Sequence, residues 1–312
     1  VRDPQELFEL APELTGPEAA DLGRPVLLHA LSGFIDAGGA GRLAREHLLD
    51  VLEPALPGQS VVASFDIDQL LDYRARRPLM DFAADHWETY DDPRLELHAL
   101  RDHDGTPFLL LTGPEPDMQW ERFIAALRML IDRLNVRVTV GIHAIPMSVP
   151  HTRPAGVTAH GTRAELIAGY EPWIDRVRVP ASVTNLLEFR LGQIGLDAIG
   201  FAAHVPHYLA EGEYPPAAEL LLTSVSRATG LLLPADELRE AGERVRAEIE
   251  RQLVSNPQAA AVVKALEEQY DAFTRGRDVS LLTDPVPLPT ADELGAELEK
   301  FLAEHSRRDQ GD

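Results

Sequence analysis

A chain of 312 residues with 45% hydrophobic and 26% charged residues has ordinary globular composition, enough for one large domain or a domain with an appendage. Its formal charge of −22 argues against nucleic acid and anionic membrane as partners, because both need clustered cations. It has no cysteine, which excludes disulfides, thiolate nucleophiles, zinc–thiolate sites and iron–sulfur clusters.

The first 24 residues are acidic and proline-bearing and read as an irregular lead-in. No stretch there reads as a signal peptide. No run approaches the roughly 20 apolar residues of a membrane span, so the expected location is the cytoplasm. Pro25 to Leu31 reads as a short buried strand. Asp36 to Leu52 has helical periodicity, with Ala40, Leu43, Ala44, His47 and Leu48 on one face and Asp36 as the expected N-cap. Ser60 to Ile67 is another apolar strand. Leu95 to Leu100 and Phe108 to Thr112 form a strand pair around the Asp104-Gly105 turn signal.

Asp117 to Leu134 carries the clearest helical stripe, through Trp120, Phe123, Ile124, Leu127, Leu130, Ile131 and Leu134. Val136 to Ile145 follows as a buried strand. Thr162 to Tyr170 is expected as a helix, Arg176 to Val179 as a short strand, Thr184 to Gln193 as a helix and Asp197 to Val205 as a strand. This alternation predicts an α/β layer structure with a largely parallel sheet. After about Gly230 the pattern turns helical: Pro234 to Leu253, Pro257 to Thr274 and Thr290 to His305 each open on a proline or a capping hydroxyl. The expected organisation is therefore an α/β domain over 1–230 and a helical appendage over 231–312.

Several motifs bear on chemistry. Gly39-x-Gly41-x-x-Ala44 has dinucleotide-fingerprint spacing, but that fingerprint must sit at the strand–helix turn, where backbone amides face a pyrophosphate. Here the glycines fall inside the expected helix, which favours close packing through small residues. Ser32 to Asp36 is better placed for an anion, yet a capping Asp36 would repel one. In Gly113-Pro114-Glu115-Pro116-Asp117, Asp117 suits a helix cap, while Glu115 could act as a base, bind a partner or simply be solvated.

Met147 to Pro154 sets His151, Thr152 and Arg153 between Pro150 and Pro154, and with Pro146 just ahead of it makes a stiff segment after a buried strand. Its guanidinium and imidazole fit either an anion or a structural clamp on nearby carbonyls. His204 and His207 flank Pro206 without a third ligand, so no metal is expected, and no cofactor motif is legible.

Asp36-Ala37-Gly38, the Gly113 to Asp117 segment, the Met147 to Pro154 segment and Pro206-His207-Tyr208 occur in that order. Over about Val26 to Asp271 the chain resembles the actinobacterial branch of the proteasome assembly chaperone 2 family. The resemblance implies a three-layer α/β/α sandwich around a mixed sheet, like the purine nucleoside phosphorylase group. It also implies self-association and protein partners, since relatives in eukaryotes and archaea assist assembly of the 20S proteasome. The expected function is thus a non-enzymatic interaction protein linked to proteasome components. The alternative is an enzyme or a binder of a small anionic metabolite, using a strand-end cleft lined by Asp36, Glu115, His151, Arg153 and His207. No activated nucleophile is legible to support that alternative.

Overall fold

The computed structural model describes residues 3–15, 21–33, 35–172 and 176–276. Along the described chain the strands and α-helices run β1 (Phe8–Leu10), β2 (Val26–Ser32), α1 (Ala40–Val51), β3 (Val61–Phe65), β4 (Met80–Ala83), β5 (His86–Tyr90), β6 (Glu96–Arg101), β7 (Pro107–Pro114), α2 (Trp120–Arg133), β8 (Val138–Met147), β9 (Val157–Gly161), α3 (Val183–Gln193), β10 (Ala198–Pro206), α4 (Pro215–Thr229), α5 (Asp236–Ser255) and α6 (Pro257–Thr274).

Eight strands make one sheet in the order β1-β3-β6-β7-β2-β8-β10-β9, and β4 with β5 makes a separate hairpin. The central strands β7, β2, β8 and β10 are parallel. The outer pairings are antiparallel. The sheet is therefore mixed, a correction to the largely parallel sheet expected from alternation. The β6–β7 connection is a short turn, which forces antiparallel pairing, whereas a parallel neighbour needs a long crossover.

Residues of β2 alternate between two cores. Val26, Leu28 and Ala30 join α1, α4 and α5 on one face, while Leu27 joins α2 and α3 on the other. Helices thus cover both faces of the parallel centre, as buried parallel strands require. On α2 the expected stripe is observed: Phe123, Ile124, Leu127, Leu130 and Ile131 are all buried. Truncating Phe123 would cost about 3–5 kcal/mol on the usual scale for buried aromatics.

The Asp36 expectation is met in function and shifted in register. Its carboxylate accepts from the amides of Gly41 at 2.8 Å and Arg42 at 2.9 Å, across a 3-10 turn that precedes α1. The lead-in is less irregular than expected, because Phe8 to Leu10 pair with Ala63 to Phe65 and extend the sheet by one strand. The region 162–170 holds only a 3-10 turn at Ala164–Ile167. Residues 176–179 lie outside the sheet, and the neighbouring edge is instead β9.

Helix α5 docks through its first half, where Leu238 is buried against the α1/α4 core, as is Leu231 in the connection before it, while most of its second half is exposed. Helix α6 places Tyr270 and Phe273 on Met147 and Val149 at the end of β8. Contacts group the described residues into one compact unit, with α5 and α6 inside it. The helix expected over 290–305 lies outside the described residues. Among the described residues no helix is long and apolar enough to cross a membrane.

Candidate functional site

The first polar cluster grows from a row across four strands. His29 on β2 stands opposite Gly141 on β8, Gly141 opposite Gly200 on β10, and Gly200 opposite His160 on β9. The two glycines make room for the two rings. A Cβ on Gly141 would lie 2.6 Å from His29 Cε1, and one on Gly200 would lie 1.9 Å from His160 Cε1. His143 stands two residues beyond Gly141, on the same face of β8.

The start of α3 closes the space above this row. Ser182 caps the helix by accepting from the Asn185 amide at 3.2 Å. Glu115, at the end of β7, accepts from the Val183 amide at 2.6 Å, a favourable place for an anion at a helix N-terminus. Its carboxylate fits there because residue 33 is glycine; a Cβ at that position would meet Glu115 Oε2 at 2.3 Å. Glu188 on α3 hydrogen-bonds His160 Nδ1 at 2.8 Å. The result is a cavity of about 130 Å³, walled by imidazoles below and by Leu31, Ile35, Ile145 and Val179 at the sides.

Burial sets the charge state of this cavity. The His29 imidazole is pushed down to about 4, first by desolvation and then by His143 and His160. His143 is pushed down to about 4, first by desolvation and then by His160. Both rings are neutral at pH 7. The Nδ1 atom of His29 is buried and has no hydrogen-bond partner. An unsatisfied buried polar atom costs stability, so it calls for an explanation.

The second cluster is the proline-flanked loop after β8. Arg153 grips Asp271 on α6 with two bonds of 2.9 Å and reaches Glu267 at 3.4 Å. Thr152 donates to the same Glu267 carboxylate. The Tyr208 hydroxyl accepts from the His151 amide at 3.0 Å and bonds its Nδ1 at 2.7 Å. Desolvation, followed by the nearby Arg246, lowers the His151 pKa. Its Nε2 is buried without a partner. His151 and Arg153 line a second cavity of about 430 Å³ with Tyr214, Arg246 and Glu250.

The PAC2 family model matches residues 30–253. The chain belongs to the PAC2 family. A structure from Mycobacterium tuberculosis, of unknown function, is 51% identical, covers 86% of this chain and 90% of its own, and superposes with a TM-score of 0.79. A Corynebacterium glutamicum protein of unknown function is 38% identical over 87% of this chain and 100% of its own, also with a TM-score of 0.79. A Mycobacterium tuberculosis structure described as a proteasome-assembly chaperone homologue is 26% identical over 76% of this chain and 99% of its own, with a TM-score of 0.68. No curated protein matches the sequence.

Within this PAC2 fold the five residues expected to share one cleft are dispersed. Glu115 lines the imidazole cavity against α3. His151 and Arg153 stay together, in the second cavity between their loop, the start of α4 and α5. Asp36 is occupied as a cap, and burial raises its pKa above the usual carboxylate range. His207 is exposed and stacks edge-on to Tyr208, with ring centroids 5.5 Å apart. Neither Asp36 nor His207 lines either cavity.

Sequence reasoning missed His29, His143, His160 and Glu188. A signal was present: Leu28-His29-Ala30-Leu31 and Ile142-His143-Ala144-Ile145 each set one imidazole into an apolar strand. A histidine repeated within buried strands marks a polar layer inside the sheet face, although neither run has a motif's spacing.

Proposed function

We propose that the protein is a non-enzymatic, self-associating interaction protein that acts in proteasome assembly. Membership of the PAC2 family supports this reading, as does the 26% identical structure described as a proteasome-assembly chaperone homologue. The observation that carries it is the β4–β5 hairpin. Leu79 is 73% exposed and Trp87 62%, and Met80, Phe82 and Tyr90 are exposed beside them. Phe82 and Trp87 pack only edge to face on each other, at 5.1 Å. A lone two-stranded ribbon is marginal in water, and such an apolar patch marks a contact surface.

Charge points to a second copy of the chain as the hairpin's occupant. Asp81, Asp85, Glu88, Asp91 and Asp92 rim the apolar patch. The segment Arg176-Val177-Arg178-Val179 is exposed and alternates basic with apolar residues. Hairpin against segment is a heterologous, head-to-tail contact, which closes into a ring when the rotation permits. Burying each hairpin aromatic is worth roughly 1.5–3 kcal/mol.

Light scattering on the wild type and on the double variant Phe82→Ala/Trp87→Ala tests this reading. The wild type is expected as an oligomer and the variant as a monomer. The same samples mixed with purified 20S proteasome α-subunits of the host should give a complex for the wild type alone. A monomeric wild type at micromolar concentration, or no complex with the subunits, would overturn it.

A further inference from the structure

We propose that the imidazole cavity between the sheet and α3 binds an uncharged, single-ring nitrogen heterocycle carrying an N–H beside a C=O. This goes beyond the assembly role, and its test does not involve the hairpin.

Size comes first. A cavity of about 150 Å³ admits benzene, so the 130 Å³ measured here fits one small ring. Shape agrees, because Gly141 and Gly200 form a floor without side chains and Leu31, Ile35, Ile145 and Val179 offer apolar walls to the faces of a ring. The mouth is reached at Ile35, which lines the cavity and is exposed at the surface.

Charge narrows the class. The described lining residues include Glu115 and Glu188 and no arginine or lysine, so phosphates and carboxylates are repelled. Both carboxylates are already engaged within the protein, Glu115 by the Val183 amide and Glu188 by His160, so neither is free to pair with a cationic ligand. A metal ion is a poor occupant, because among the described residues no three His, Cys, Asp or Glu side chains are placed to hold one.

Hydrogen bonding then selects the edge of the ring. A neutral imidazole offers one donor and one acceptor. His160 gives its Nδ1–H to Glu188 at 2.8 Å, which sets this pair as one polar edge of the cavity. His29 keeps a buried Nδ1 with no partner. Ser182, Thr184 and Asn185 add further polar groups where α3 begins. A ring with adjacent donor and acceptor meets this mixed set, whereas a hydrocarbon of the same size would leave it unpaired.

The test is isothermal titration of the full-length protein with 2-pyridone and with uracil, and with benzoate as an anionic ring of similar size. Both uncharged compounds should bind saturably at about millimolar concentration or tighter, as suits so few atoms, and benzoate should not. His29→Phe keeps a ring over Gly141 but removes its nitrogens, and should weaken binding at least about tenfold, the loss of one good polar contact. His143→Phe is the parallel variant should the first fail to fold. Absence of binding by both uncharged compounds overturns the proposal. So does benzoate binding as well as they do, or undiminished binding in the folded variants.

Discussion

Two polar clusters border the same parallel strands, and they differ in what completes them. In the loop after β8, charges are paired off: Arg153 holds Asp271 and Glu267, Thr152 joins Glu267, and Tyr208 takes both the amide and the ring of His151. Its bonds reach forward more than a hundred residues to α6, so the loop works as a fastener for that helix. In the cavity under α3, the polar groups are neutral imidazoles set on glycines, and one ring nitrogen has no partner. The cluster that is dense in sequence has spent its charges on one another and keeps one buried ring nitrogen, His151 Nε2, unpartnered. The one scattered over four strands is lined by no arginine or lysine and leaves His29 Nδ1 unpartnered.

The largest expected difference between the clusters is in their response to acid. His29, His143 and His204 are each lowered from 6.5 to about 4. The unfolded chain therefore takes up these protons at higher pH than the folded one. Their stabilisation is complete above about 6.5 and is lost as the pH falls toward 4. For the fully buried His29 this amounts to roughly 3 kcal/mol. The Asp271 carboxylate in the loop is held below its ordinary range by Arg153, so that ion pair weakens only in more acid solution. Melting temperature should thus fall steeply from pH 6.5 to 4.5, and His29→Phe should flatten the curve. A flat wild-type curve would contradict the neutral cavity.

Glycine substitutions sharpen the comparison next. Gly200→Ala puts a Cβ 1.9 Å from the His160 ring and should cost about 1–3 kcal/mol in a urea melt. Gly212→Ala meets nothing within 4 Å and should leave the midpoint unchanged. In the loop, Tyr208→Phe removes the acceptor of the His151 amide and should cost about 1 kcal/mol. The smallest global effect belongs to Arg153→Ala. Its ion pairs are partly exposed, so the melting temperature should scarcely move, while hydrogen exchange across residues 257–274 should quicken as α6 loosens. A large loss of melting temperature with unchanged exchange would show that the loop is core structure instead of a fastener.

What the sequence made legible follows from where one face is buried and the other is not. Helix α2 has a wet face and a dry one, so its stripe is readable. The Asp36 cap is local, and local hydrogen bonds follow from spacing. Helix α4 escaped because Ala217, Ala218, Leu221, Leu222 and Val225 bury much of its circumference and blur the period. Hairpin β4–β5 escaped for the opposite reason: nearly every residue is exposed, so no alternation is imposed on it. For the candidate site, Arg153 and His151 line one cavity because they sit two residues apart on a stiff segment, which local spacing makes readable. Their partners on α6 were beyond reach, because contacts across 118 residues are set by the fold alone. The His29–Gly141–Gly200–His160 row was equally hidden, since strand register decides it and no sequence spacing encodes register between distant strands.

The most direct test is side-chain nitrogen NMR of the histidines, titrated from pH 8 to 4 with and without 2-pyridone. His29 and His143 should remain neutral down to about pH 4, and their ring nitrogens should shift when 2-pyridone is added, while His151 stays unmoved. Cavity histidines that titrate near 6.5 and ignore the compound, or a response confined to His151, would contradict the assignment of the open site to the cavity under α3.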